Sequence, residues 1–142
     1  MSRVGLLEDN HRIAKLSATM LGYAGHDVTI YVEASDCLHA LFILDPSSGQ
    51  TPTKYEGTVF PLLPIDVLIL DLHLPNMSGL EVARLLRNNP YTCELPLIFC
   101  TAATSAEINL AFLIAPEARL VEKPFKLQTL VSAITHVLPG SV

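Results

Sequence analysis

Residues 66–79, Asp-Val-Leu-Ile-Leu-Asp-Leu-His-Leu-Pro-Asn-Met-Ser-Gly, constrain this chain more than any other stretch. Val67, Leu68, Ile69 and Leu70 follow one another without a polar break, as expected of a strand covered on both faces in the middle of a parallel sheet. Asp71 then lies at the carboxyl end of that strand, the edge at which open α/β sheets hold their ligands. Pro75 and Gly79 turn the backbone toward a helix.

The rest of the chain repeats the alternation. Strands are expected at residues 4–7, 28–32, 95–100 and 119–122, each followed by apolar residues at helical spacing. The first helix carries Ile13, Leu16, Met20 and Leu21 and closes at Gly25. The second is expected to take its N-cap from residues 34–36, to carry Leu38, Leu41, Phe42 and Leu44, and to end near residues 45–46. The third starts at Ser78 and ends at residues 88–90. The fourth has a capped start at residues 104–107 and runs to about residue 115. The fifth carries Leu127, Leu130, Val131, Ile134, Val137 and Leu138. Alternation of this kind predicts an α/β fold with a doubly wound five-stranded parallel sheet, five helices and right-handed crossovers.

At 142 residues the chain is long enough for one domain, expected over residues 1–138, that buries about two-thirds of its unfolded surface. Residues 46–64, rich in Ser, Gly, Thr and Pro, form an insertion-like loop around the apolar patch Val59-Phe60-Pro61-Leu62-Leu63. That patch is either a plain insertion or a partner-docking segment. Residues 139–142 read as a tail or the start of a linker. Cys37, Cys93 and Cys100 have no metal-binding or disulfide spacing. A net charge of −5 without a basic cluster argues against direct nucleic-acid contact, and no apolar run reaches a membrane span, so a cytoplasmic protein is expected.

The strand ends are chemically selective. Glu8 and Asp9 follow the first strand, Asp71 the third, Thr101 the fourth and Lys123 the fifth. Two carboxylates about 5 Å apart repel by roughly 3 kcal/mol at an effective dielectric of about 20, so three together call for a cation. Hard oxygen ligands favour Mg²⁺. Three carboxylates, a divalent metal and one ammonium sum to neutrality, and a neutral site accepts a phosphoryl dianion.

These motifs, Glu8-Asp9, residues 71–79, Thr101-Ala102 and Lys123-Pro124-Phe125, resemble the receiver domain of two-component response regulators, chemotaxis-regulator-like, over residues 3–138. The resemblance implies a flavodoxin-like sheet of order 2-1-3-4-5. It implies that Asp71 is the phosphoacceptor, charged by a sensor histidine kinase or a histidine phosphotransfer protein, and that the resulting change regulates an output domain or partner. Asp9 and Asp71 would bind Mg²⁺ with the backbone carbonyl of His73, and Glu8 largely through water. Thr101 and Lys123 would each hold a phosphoryl oxygen, and small Ala102 leaves the approach to Asp71 open. His73 and Ala103 occupy positions that modulate phosphoryl lifetime, and the Lys123–Pro124 bond is expected to be cis. The face from the fourth to the fifth helix would serve a homodimer or an effector.

One departure stands out: Leu120 occupies the position of the aromatic ring that usually reports phosphorylation. Repacking of Leu120 and backbone movement over residues 103–125 are expected in its place. The domain is not expected to be an enzyme beyond assisting its own phosphorylation and dephosphorylation. A phosphatase of the haloacid dehalogenase type would need a second Asp where His73 stands, and no Gly-rich nucleotide-binding motif is present. The alternative is a receiver-shaped interaction module that is not phosphorylated.

Overall fold

The strands are short, the central ones are largely buried, and helices pack on both faces of the sheet, so two layers of helices enclose one layer of strands. The computed structural model describes residues 2–41, 63–102 and 104–138. In chain order the elements are β1 (Arg3–Leu7), α1 (His11–Tyr23), β2 (Asp27–Tyr31), α2 (Ala34–Ala40), β3 (Val67–Leu70), α3 (Gly79–Arg87), β4 (Leu97–Thr101), α4 (Ser105–Ile114), β5 (Arg119–Glu122) and α5 (Leu127–Val137). All sheet pairings are parallel and the order is β2-β1-β3-β4-β5, as expected.

Strand alternation divides the core in two. Leu7, Leu68, Leu70, Leu97 and Phe99 point to the side covered by α2, α3 and α4. Val4, Leu6, Val67, Ile69, Ile98 and Val121 point to the side covered by α1 and α5. Every residue of β3 is buried, which is why that segment carries no polar residue before its end. On the first side Phe99 and Phe112 meet edge to face, with centroids 6.2 Å apart.

Local chemistry sets the helix ends. Asn10 Oδ1 accepts from the N–H groups of Arg12 and Ile13 and opens α1. Gly25, with φ +94°, closes it: its N–H donates to Gly22 O, and that of His26 to Leu21 O, the paired bonds of a Schellman motif. The expected cap at residues 34–36 is not used, because α2 already begins at Ala34, whose side chain is buried. Its N-cap is Glu33, without a side-chain bond. Asp36 instead sits in the first turn, where the helix dipole favours a carboxylate. Phe42, Leu44 and most of the expected 46–64 loop lie outside the described residues, as does the tail 139–142. Of the patch at residues 59–63, Leu63 is described and packs against the core. Among the described residues no helix is long and apolar enough to cross a membrane.

Candidate phosphoacceptor site

Parallel pairing continues past the strand ends and brings their polar residues to one place. Glu8 N–H donates to Tyr31 O, Asp71 N–H to Leu7 O, and Lys123 N–H to Thr101 O. Glu8, Asp71 and Thr101 are buried, at 4%, 8% and 0% exposure, so their polar atoms must find partners inside the protein.

They find one another. Asp71 Oδ1 accepts from the Thr101 hydroxyl at 2.9 Å and from the His73 backbone N–H at 3.0 Å. Asp71 Oδ2 accepts from Lys123 Nζ at 2.9 Å, and the same ammonium donates to Glu8 Oε1. Glu8 Oε2 accepts from Asn10 N–H at 3.2 Å. One carboxylate oxygen from each of Glu8, Asp9 and Asp71 lies within 4.8 Å of the others. The donor set is all hard oxygen, which fits Mg²⁺ better than a softer transition metal. Burial by itself lowers the pKa of Lys123. Its hydrogen bonds to Glu8 and Asp71, with their charge, outweigh that and hold it above the ordinary lysine value.

The turn that leads away from Asp71 depends on Gly79. Its N–H donates to Leu72 O at 2.9 Å, and a Cβ there would lie 2.2 Å from the backbone oxygen of Asp71. No other residue lets the start of α3 come so close to the strand end. Ser78 Oγ caps α3 by accepting from Glu81 N–H. Beside Thr101 and Lys123 an open cleft is lined by Ala102, Ser105, Ile108 and Glu122.

All five strand-end residues expected from the sequence, Glu8, Asp9, Asp71, Thr101 and Lys123, therefore meet in one site. The Lys123–Pro124 peptide is cis. Ala102 is exposed, and Ala103 lies outside the described residues. Leu120 takes no part in the cluster: it is half-buried and packs with Phe112 and Ile114 against the core on the α2–α4 side. His73, expected at a position that modulates phosphoryl lifetime, has its Nε2 2.7 Å from Glu107 Oε2 on α4. Two participants went unnoticed in the sequence. Asn10, legible only as the residue before a helix, orients Glu8, and Glu107, legible as part of a capping box, reaches His73.

Comparison with known proteins points to one family. The family model for the response regulator receiver domain matches residues 4–135. The transcriptional regulatory protein TrcR of Mycobacterium tuberculosis is 31% identical over 140 residues, covering 98% of this chain and 46% of that protein. The probable transcriptional regulatory protein TcrX of the same organism is 29% identical over 134 residues, covering 94% and 48%. The chain thus spans about half the length of these curated relatives. Among solved structures, a response regulator of Chloroflexus aurantiacus superposes with a TM-score of 0.76 at 22% identity, covering 96% of both chains. The Thermotoga maritima response regulator TrrA in complex with Mg²⁺ and BeF has a TM-score of 0.72 at 24% identity, covering 97% of this chain and 100% of that one. Those likenesses concern the fold, whereas the family match spans nearly the whole chain, which accordingly belongs to the response regulator receiver domain family of two-component signalling.

Proposed function

We propose that Asp71 accepts a phosphoryl group from a phosphohistidine on a sensor kinase or phosphotransfer protein. A carboxylate oxygen of Asp71 attacks phosphorus, the phosphorus–nitrogen bond breaks, and its electron pair returns to the donor imidazole. The observation that carries this reading is that Asp71 meets a hydroxyl and an ammonium at once, Thr101 on Oδ1 and Lys123 on Oδ2. In phosphoryl transfer the protein chiefly positions reactants and stabilises charge on the equatorial oxygens, and these two donors are suited to that work. Glu8, Asp9 and Asp71, with the backbone carbonyl of His73, are the residues that would hold Mg²⁺, which supplies positive charge opposite the phosphoryl oxygens when bound.

Lys123 is shared with Glu8 in the resting site. Phosphorylation draws Lys123 and Thr101 toward the new oxygens, and the movement passes to residues 103–125 through the backbone and through Leu120 rather than through a swinging aromatic ring. An output domain, an effector or a second copy reads that face. Leu110 and Leu113 of α4 support this, at 51% and 79% exposure. Ala111 is the buried residue of that helix, and the two leucines face solvent. The assignment of residues 1–138 to one receiver unit and a cytoplasmic location belong to the same reading.

Beryllofluoride, a phosphoryl mimic, tests it. With Mg²⁺ it should shift the NMR signals of Thr101, Lys123 and the residues around Leu120, and Asp71→Ala should abolish the shifts. Unchanged signals at Thr101 and Lys123 would contradict phosphoryl binding, and unchanged signals around Leu120 alone would contradict the proposed route outward.

A further inference from the structure

Arg87 and Glu117 tie two turns together at the edge of the sheet opposite Asp71. Arg87 is the last residue of α3 and Glu117 lies between α4 and β5, so the pair sits near the amino ends of β4 and β5, away from the strand ends that carry Thr101 and Lys123. Nη1 of Arg87 donates to Thr92 O at 3.3 Å and Nη2 to Glu117 Oε1 at 2.5 Å. Only 13% of the Arg87 side chain is exposed, against 58% for Glu117. Its Nε is buried without a partner, and among the described residues Glu117 is the one carboxylate paired with this cation. Taking that carboxylate away leaves a largely buried charge uncompensated.

The two ends of the link are not equally firm. On the α3 side the Thr92 hydroxyl donates to Leu86 O at 2.6 Å, its N–H donates to Asn89 O at 3.1 Å, and Asn89 Oδ1 accepts from Tyr91 N–H at 2.9 Å, so this turn is fixed by its own bonds. On the α4 side the turn holds itself by Ala118 N–H to Ala115 O and by the small buried side chains of those two alanines, which bury little apolar area. We propose that the Arg87–Glu117 pair is a pivot: it holds the end of α4 and the start of β5 to α3, so that phosphorylation tilts α4 about this end and moves its start, beside Thr101, the most. This rests on the function proposed above and deepens it, placing the smallest movement within residues 103–125 at 115–118. A ten-residue helix fixed at one end tilts rather than slides, and a tilt changes the angle at which Leu110 and Leu113 are presented to a partner.

Glu117→Ala removes the exposed half of the pair and leaves the core untouched. Amide hydrogen exchange at Ala118 should quicken by about two- to fivefold, the scale for a partly exposed ion pair, while exchange at Thr92 and Leu95 stays as in wild type. With Mg²⁺ and beryllofluoride, wild-type NMR shifts should be larger at residues 105–108 than at 115–118, and in Glu117→Ala the changes at 115–118 should grow to match. Unchanged exchange at Ala118, an equal quickening at Thr92 and Leu95, or wild-type shifts as large at 115–118 as at 105–108 would each overturn the pivot while leaving the function proposed for Asp71 standing. Unchanged signals at Thr101 and Lys123 would overturn both.

Discussion

The ammonium of Lys123 lies 2.9 Å from Oδ2 of Asp71, bridging the ends of two strands that are not neighbours in the sheet. β4 runs between them, and the Thr101 hydroxyl at its end reaches the other oxygen of the same carboxylate. Lys123→Ala should therefore leave the fold intact and lower the rate of phosphorylation by about 10²-fold, the scale for loss of one charge-stabilising donor. Initial rates with acetyl phosphate, compared with a circular dichroism spectrum of the variant, check both halves of this expectation.

Gly79 is the sharpest packing constraint on the site. A methyl group there would meet Asp71 O at 2.2 Å and Leu72 Cα at 2.6 Å, both backbone atoms that cannot move without displacing the end of β3. Gly79→Ala is expected to cost about 1–3 kcal/mol of stability, the range for overpacking. It should also slow phosphorylation. Denaturant titration and acetyl phosphate kinetics on the same protein measure the two effects.

An acid-sensitive contact fastens the start of the sheet. Asp66 accepts from the Arg3 guanidinium at 3.0 Å and from its backbone N–H at 2.8 Å, and these bonds hold its carboxyl below the ordinary carboxylate range. A depressed carboxylate pKa adds stability that is complete above the unfolded value, about 3.9, and fades as pH falls through the folded value. Asp66→Asn should thus be less stable than wild type at pH 7, and the difference should vanish in stronger acid. With side chains 50% and 38% exposed, the effect should stay below about 1 kcal/mol. Urea midpoints of the two proteins across the acid range measure it.

The three thiols should divide by burial. Cys37 and Cys100 are buried, and desolvation pushes both up to about 12, whereas Cys93 is exposed. Native protein should react with iodoacetamide at Cys93 alone, as read by peptide mapping, with Cys37 and Cys100 modified only after unfolding.

How much of this was legible in the sequence follows from the range of the forces involved. The uninterrupted apolar run of β3, the helix start at Ser78, the cap at Thr104, and Gly25 are local signals, and the elements they mark are found where expected. The meeting of Glu8, Asp71, Thr101 and Lys123 could also be read, because a parallel sheet puts every strand end on one edge. The contact of His73 with Glu107 could not, since it spans 34 residues and depends on how α4 is set against the loop after β3. Which leucines of α4 face outward was hidden for a related reason. A helix apolar on nearly all sides has no stripe to show which one packs.

The covalent step remains the most direct test. The protein is incubated with acetyl phosphate and Mg²⁺ and weighed intact beside Asp71→Ala. The account predicts the gain of one phosphoryl group in wild type, dependent on Mg²⁺ and absent from the variant. No gain in wild type, under conditions that phosphorylate another receiver domain, or an equal gain in Asp71→Ala, would contradict it.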